Sequence, residues 1–164
     1  MMRRKWAPMM FIVACSSQSV IDESPIDITR SDTCALDGMT IVDHHGPKAQ
    51  ILRRDGSRLM FCDAKEAIGE MLSPGRRKLV HKIWFQILDE RSWTSHRDKW
   101  AEGVVIYFVI GSKKMGSMGP TVAPFLERGN AKNFVSRNGG DIFQLGEITL
   151  WVYQKIMRQG MNNL

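Results

Sequence analysis

Cysteine is scarce in this chain of 164 residues, with only three, too few for a fold held together by a disulfide framework. No apolar run reaches the roughly 18–20 residues that a membrane-spanning helix needs. There is no G-x-S-x-G nucleophile turn, no H-E-x-x-H and no G-x-x-x-x-G-K-[ST] phosphate loop, so the common hydrolase, zinc-protease and nucleotide-binding signatures are missing. No C-x2–4-C pair offers a structural zinc site. Hydrophobic residues make up 43% and charged residues 24%, which excludes wholesale disorder and fibrous repeats. The length suits one compact unit or two small ones.

The first residues form an address. Arg3, Arg4 and Lys5 precede a short apolar stretch from Trp6 to Ala14, the layout of a secretory signal. Ile12-Val13-Ala14-Cys15 resembles a bacterial lipobox, in which cleavage after residue 14 leaves a lipidated Cys15 at the new N-terminus. Cleavage there removes three of the 23 cations and none of the 17 acids, leaving a net charge of +3. That mild balance argues against a nucleic-acid partner. Ser16 stands where an inner-membrane retention signal usually has Asp, so the expected location is the periplasmic face of the outer membrane, held by a lipid anchor.

Residues 15–33 are polar and read as a lipidated tether, although Ile26 and Ile28 alternate as in an edge strand. Structured chain begins at Cys34. Lys48 to Arg53 and Ser57 to Cys62 predict two strands joined at Asp55-Gly56. Asp63 offers an N-cap to a helix over 64–72, which Ser73-Pro74-Gly75 ends. Lys82 to Leu88 predicts a third strand. In the second half, 103–110 predicts a strand, 111–124 a loop, 127–135 a helix, 141–145 a strand and 147–158 a closing helix. Phe61-Cys62-Asp63-x3-Ala67 aligns with Phe125-Leu126-Glu127-x3-Ala131. Together with the recurring element order, this suggests an α+β fold of two homologous ββαβ units, at 34–98 and 99–164.

Sulfur and imidazole carry the available chemistry. Cys34-Ala35-Leu36-Asp37-Gly38-Met39 places a thiol and a thioether on one turn, which Gly38 lets fold tightly. Met115 and Met118 sit among glycines in the second half, and His44, His45 and Cys62 complete the set. Soft thiolates and thioethers suit Cu(I). The plainer readings are core-filling methionines, a solvated His-His turn and a structural Cys34–Cys62 disulfide. Arg76, Arg77, Lys78, His81 and Lys82 read as a solvated loop or a protected strand edge.

These motifs resemble the NosL family of copper-binding accessory lipoproteins. The likeness runs from the lipobox through CALDGM (34–39), HHGPKAQI (44–51) and YFVIGSKKMGSMGPTVAPF (107–125) to FVSRNGGDI (134–142). It implies two homologous ββαβ units and a monomeric, membrane-anchored periplasmic Cu(I) metallochaperone without enzymatic activity. Its implied task is delivery of copper to the periplasmic part of the NosDFY transporter complex, for assembly of the copper centres of nitrous oxide reductase. By the same resemblance Cys34, Met39 and Met118 are ligands, with His44, His45, Cys62 and Met115 as further candidates. Some family members carry Cys-x-x-Cys-Gly-Met; here Asp37 stands at the second Cys. Two other functions fit the residues: a metal-free binding or scaffold lipoprotein with a Cys34–Cys62 disulfide, or a thiol enzyme, such as one cleaving organomercurials, built on Cys34, Cys62 and Asp63.

Overall fold

A computed structural model describes residues 22–88, 93 and 99–161. The expected signal peptide and Cys15 lie outside them. The chain folds as α+β, with two antiparallel sheets. The first contains β1 (Ala49–Arg53), β2 (Arg58–Phe61), β3 (Val80–Gln86) and β4 (Trp100–Glu102) in the order β2-β1-β3-β4. The second contains β5 (Tyr107–Gly116), β6 (Gly119–Phe125) and β7 (Asp141–Gln144) in the order β6-β5-β7. Helices α1 (Ala64–Leu72) and α2 (Pro74–Arg77) follow β2, α3 (Arg128–Asn138) follows β6, and α4 (Leu150–Met161) closes the chain. Each half runs strand, strand, helix, strand with its first strand central.

Alternation along the strands decides what is buried. Ala49 and Ile51 of β1, Ile83 and Phe85 of β3, and Phe108 and Ile110 of β5 meet Ala64, Ala67 and Ile68 of α1 and Val152 and Ile156 of α4 in one core shared by both sheets. Phe85 and Phe108 join the sheets edge to face, with ring centroids 4.8 Å apart. Val109 of β5 points the other way, into a smaller core with Ala123, Phe125, Ala131 and Phe134, where α3 covers the second sheet.

Helix α1 begins where the sequence predicts. The Asp63 side chain accepts from the Lys65 amide, and Glu66 reaches back to the Asp63 amide as a capping box. Chain beyond Leu72 does not simply stop, because Pro74 at the first helical position starts the short α2.

Three expectations are corrected. Gly103–Val105 is a 3-10 turn, and the strand starts only at Tyr107. Val104 and Val105 are exposed, while Gly103 is buried where an added Cβ would lie 2.9 Å from Leu145 Cδ2. The expected loop over 111–124 is instead a long hairpin. Strand β5 continues to Gly116, and β6 returns from Gly119 through Pro120 and Pro124 on the sheet's edge, where proline removes no needed donor. Its register shifts between Ile110 and Met115, beside Gly111 at φ +81°.

Within the expected tether, residues 22–33 form a strap on the outer face of the first sheet, not an edge strand. Gln50 exchanges hydrogen bonds with the Ile26 backbone at 3.0 and 2.9 Å. Arg58 donates to the carbonyls of Asp22 and Ser24. Glu23 pairs with Lys82 at 2.8 Å and His81 at 2.9 Å, which together hold its carboxyl down at about 2, Lys82 contributing most.

Candidate metal centre

The strap delivers the chain to a closed loop at one end of β2. Cys34 and Met39 pair through Cys34 N–H to Met39 O at 2.8 Å, Gly38 N–H donates to Cys34 O at 2.8 Å, and Ala35 N–H ties the loop to Met60 O. Gly38 makes this turn at φ +77°, a region that costs other residues energy. Cys62 lies directly after β2 and before the N-cap of α1, so both thiols meet at a helix N-terminus, which favours negative charge.

Both cysteines are buried free thiols, and no disulfide joins them. Their sulfurs and carboxylate oxygens of Asp37 and Glu66 all lie within 4.8 Å of one another. Cys34 Sγ donates to Glu66 Oε2 at 3.2 Å, and Cys62 Sγ is 3.7 Å from both Glu66 oxygens. Asp37 contributes its exposed carboxylate to this group, and Cys62 supplies the second sulfur from elsewhere in the chain.

The second half closes over this pair. Ser117 Oγ, at the turn of the β5–β6 hairpin, is 3.1 Å from Cys62 Sγ. Thr121 of β6 donates a short hydrogen bond to Asp63 Oδ1. Lys65 Nζ donates to the carbonyls of Met118 and Pro120 at 2.6 and 2.8 Å. Gly116 approaches Asp63 so closely that an added Cβ would collide with its carboxylate and lie 2.9 Å from Thr121 Cβ. Because Asp63 is buried and cannot swing away, Gly116→Ala should destabilise the fold by about 1–3 kcal/mol. Urea unfolding checks this, and an unchanged midpoint would contradict the close fit.

Electrostatics here are set by burial. Loss of water raises the Cys34 thiol above its usual value. It pushes Cys62 up to about 12, opposed by the Ser117 hydrogen bond and reinforced by the Glu66 carboxylate. Burial also raises Glu66 and Asp63. Lys48 lies beneath, fully buried, with its ammonium on the carbonyls of His44 (2.7 Å), His45 (3.2 Å) and Cys62 (2.9 Å). Burial lowers its pKa, while the charges of Cys62, Asp63, Glu66 and Cys34 oppose the shift.

The expected ligands are thus brought together unequally. Cys34 and Cys62 meet, and Met39 packs against their cluster. Met115 and Met118 flank Ser117 on the hairpin, both exposed. The contacts of His44 and His45 at this centre are made by their backbone carbonyls to Lys48.

The NosL family model matches residues 25–152. The chain belongs to the NosL family. It is 29% identical over 140 residues to the copper-binding lipoprotein NosL of Stutzerimonas stutzeri, covering 84% of this chain and 73% of that protein. It is 28% identical over 148 residues to the copper-binding lipoprotein NosL of Achromobacter cycloclastes, covering 87% and 77%. The crystal structure of the copper chaperone NosL from Shewanella denitrificans superposes with a TM-score of 0.75 at 25% identity, covering 78% of this chain and 97% of that one. These relatives are named for binding and carrying copper, not for a reaction.

Glu66, Lys48, Ser117 and Thr121 went unnoticed as site residues in the sequence. The signal for Glu66 was present: Asp63-x-x-Glu66 is a capping-box pattern, which folds the glutamate back toward the residue preceding the cap, and that residue is Cys62.

Proposed function

We propose that this chain is a lipid-anchored periplasmic carrier of Cu(I) that binds the ion between Cys34 and Cys62 and gives it up for assembly of the copper centres of nitrous oxide reductase, through the periplasmic part of the NosDFY complex. The paired free thiols carry this reading. Two sulfur donors suit a soft monovalent ion, and carboxylates alone would suit harder ones. In the metal-free protein both thiols hold their protons, because burial raises them. As copper enters, the Cys34 sulfur forms its bond to the ion while its proton passes along the existing hydrogen bond to Glu66. Cys62 follows, releasing its proton to solvent. Met39 adds a neutral thioether beside the pair. Met118, with Met115, offers exposed thioethers at the hairpin, where an acceptor's own ligands could take the ion before the thiolates let go.

Each thiolate formed costs a proton, so binding must strengthen as pH rises. Affinity should increase by between about tenfold and about a hundredfold per pH unit across neutrality, the lower slope applying if Glu66 keeps one of the two protons. Anaerobic titration of the reduced protein with a competing Cu(I) chelator at a series of pH values measures this. One tightly held equivalent with that slope supports the reading. Affinity independent of pH, or no competition with the chelator, overturns it.

A further inference from the structure

The end of the first sheet away from the thiols carries a compact group of cations. The β1–β2 turn presents Arg53 and Arg54, and the segment after α1 presents Arg76, Arg77 and Lys78. The two are clamped together: Arg54 N–H donates to Leu79 O at 2.9 Å and its Nε to Lys78 O at 3.1 Å. Arg54, Arg77 and Lys78 are exposed, and so is the neighbouring apolar Leu79, at 48%. Four acids lie at this end, all already engaged. Asp22 accepts from the Ser24 amide, and Glu23 pairs with Lys82 and His81. Asp55 accepts from the Ser57 backbone and hydroxyl, and Glu70 pairs with Arg76 at 3.3 Å. With Arg58 and Lys82 included, seven cations against four acids leave this end positive, although the mature chain is only mildly basic.

The strap enters the fold at the same end. Arg58, the first residue of β2, holds the carbonyls of Asp22 and Ser24. From Asp22 back to Cys15 is seven residue steps, which span no more than about 25 Å even when fully extended. A chain anchored through lipid on Cys15 therefore keeps Asp22, where the strap meets Arg58, within that distance of the bilayer. Cys62 lies four strand steps from Arg58 in the opposite direction, about 13 Å farther along β2.

We propose that the basic end of the first sheet, through Arg54, Arg77, Lys78 and Leu79, seats on anionic phospholipid headgroups and holds the thiol pair facing away from the membrane. This rests on the lipid-anchor reading of Cys15. Guanidinium and ammonium groups near a negative surface are attracted within roughly one Debye length, about 8–10 Å at physiological salt, and a short tether lets the basic end reach that range repeatedly. Leu79 adds a small apolar contact at the headgroup boundary.

Backbone hydrogen exchange of the mature, lipidated protein tests the proposal, in vesicles of phosphatidylcholine alone and of phosphatidylcholine with phosphatidylglycerol. Docking predicts that amides of residues 76–80 exchange several-fold more slowly with phosphatidylglycerol, and that high salt removes the difference. Arg77→Glu/Lys78→Glu should abolish it and Arg77→Gln/Lys78→Gln should weaken it. Arg128→Glu/Lys132→Glu, the same charge change on α3, should leave it intact. The glutamine pair and the salt series decide the matter if the glutamate pair folds poorly. Equal exchange in both vesicles, or equal loss with the α3 control, overturns docking. Co-flotation with phosphatidylcholine vesicles and the acyl mass on Cys15 report the anchor separately: a chain that floats but shows no protection refutes docking alone, and one that carries no acyl group refutes the anchor.

Discussion

Cys62→Ser should lower Cu(I) affinity by more than the roughly 10–100-fold that loss of a residue merely supporting a ligand costs, and Cys34→Ser should do the same. Serine preserves the size of the side chain and its hydrogen bonding. Cys62 Sγ already shares a polar contact with the Ser117 hydroxyl at 3.1 Å, which a serine can make as well. The change therefore removes the soft donor and leaves the fold in place. A hydroxyl oxygen is a poor ligand for a soft monovalent ion. If both protons leave for solvent, either variant should halve the pH slope. If Glu66 keeps the Cys34 proton, Cys62→Ser should abolish the slope and Cys34→Ser should leave it at about tenfold per unit. Competition titrations of both variants against wild type provide the check. If Cys62→Ser keeps wild-type affinity, Cys62 is not a ligand and the site must be completed by Met39 or a hairpin methionine.

Lys48→Met should reduce stability by about 3–5 kcal/mol, roughly what it costs to leave two or three buried acceptors without their donor. For a domain of this size that corresponds to a fall of about 10–20 °C in Tm. Lys48 is fully buried, and its ammonium holds three carbonyls from two separate segments, at His44 and His45 and at Cys62. Methionine fills a similar volume but donates nothing, so three buried acceptors lose that donor and the nearby Asp63 and Glu66 lose a positive neighbour. Copper affinity should drop as well, because a thiolate formed beside Lys48 gains from its charge. Calorimetric unfolding of the metal-free protein measures the first effect. A Tm within a few degrees of wild type would show that Lys48 does not organise the centre.

Much of this molecule could be read from its sequence, and the failures have physical causes. Helix α1 was legible because its cap, its apolar spacing and its proline stop agree with one another. The tight turn in CALDGM was legible because Gly38 permits a conformation that few residues share. The β5–β6 hairpin was not, since glycines and prolines that usually signal a loop serve here as a bulge, a tight turn and edge positions. Glu66 was hidden for a different reason. It reads as an ordinary helical residue, and only the tertiary fold brings Cys34, 32 residues away, to its carboxylate. His44 and His45 show a role that no side-chain pattern reveals: the backbone carbonyls of both residues support a buried lysine.

The contact between Ser117 and Cys62 also has a consequence in time. The two residues lie 55 positions apart in the chain, and a chain exported unfolded from its N-terminus delivers Cys34 and Cys62 well before the hairpin that covers them. Under the proposed export to the periplasm, the thiols stand during that interval in an oxidising compartment with no β5–β6 cover, and a misplaced disulfide is the hazard of the moment. Arrival of Ser117 and Thr121 ends it by packing the second half onto Cys62 and Asp63. The pair survives as thiols only if folding of the trailing half outruns their oxidation.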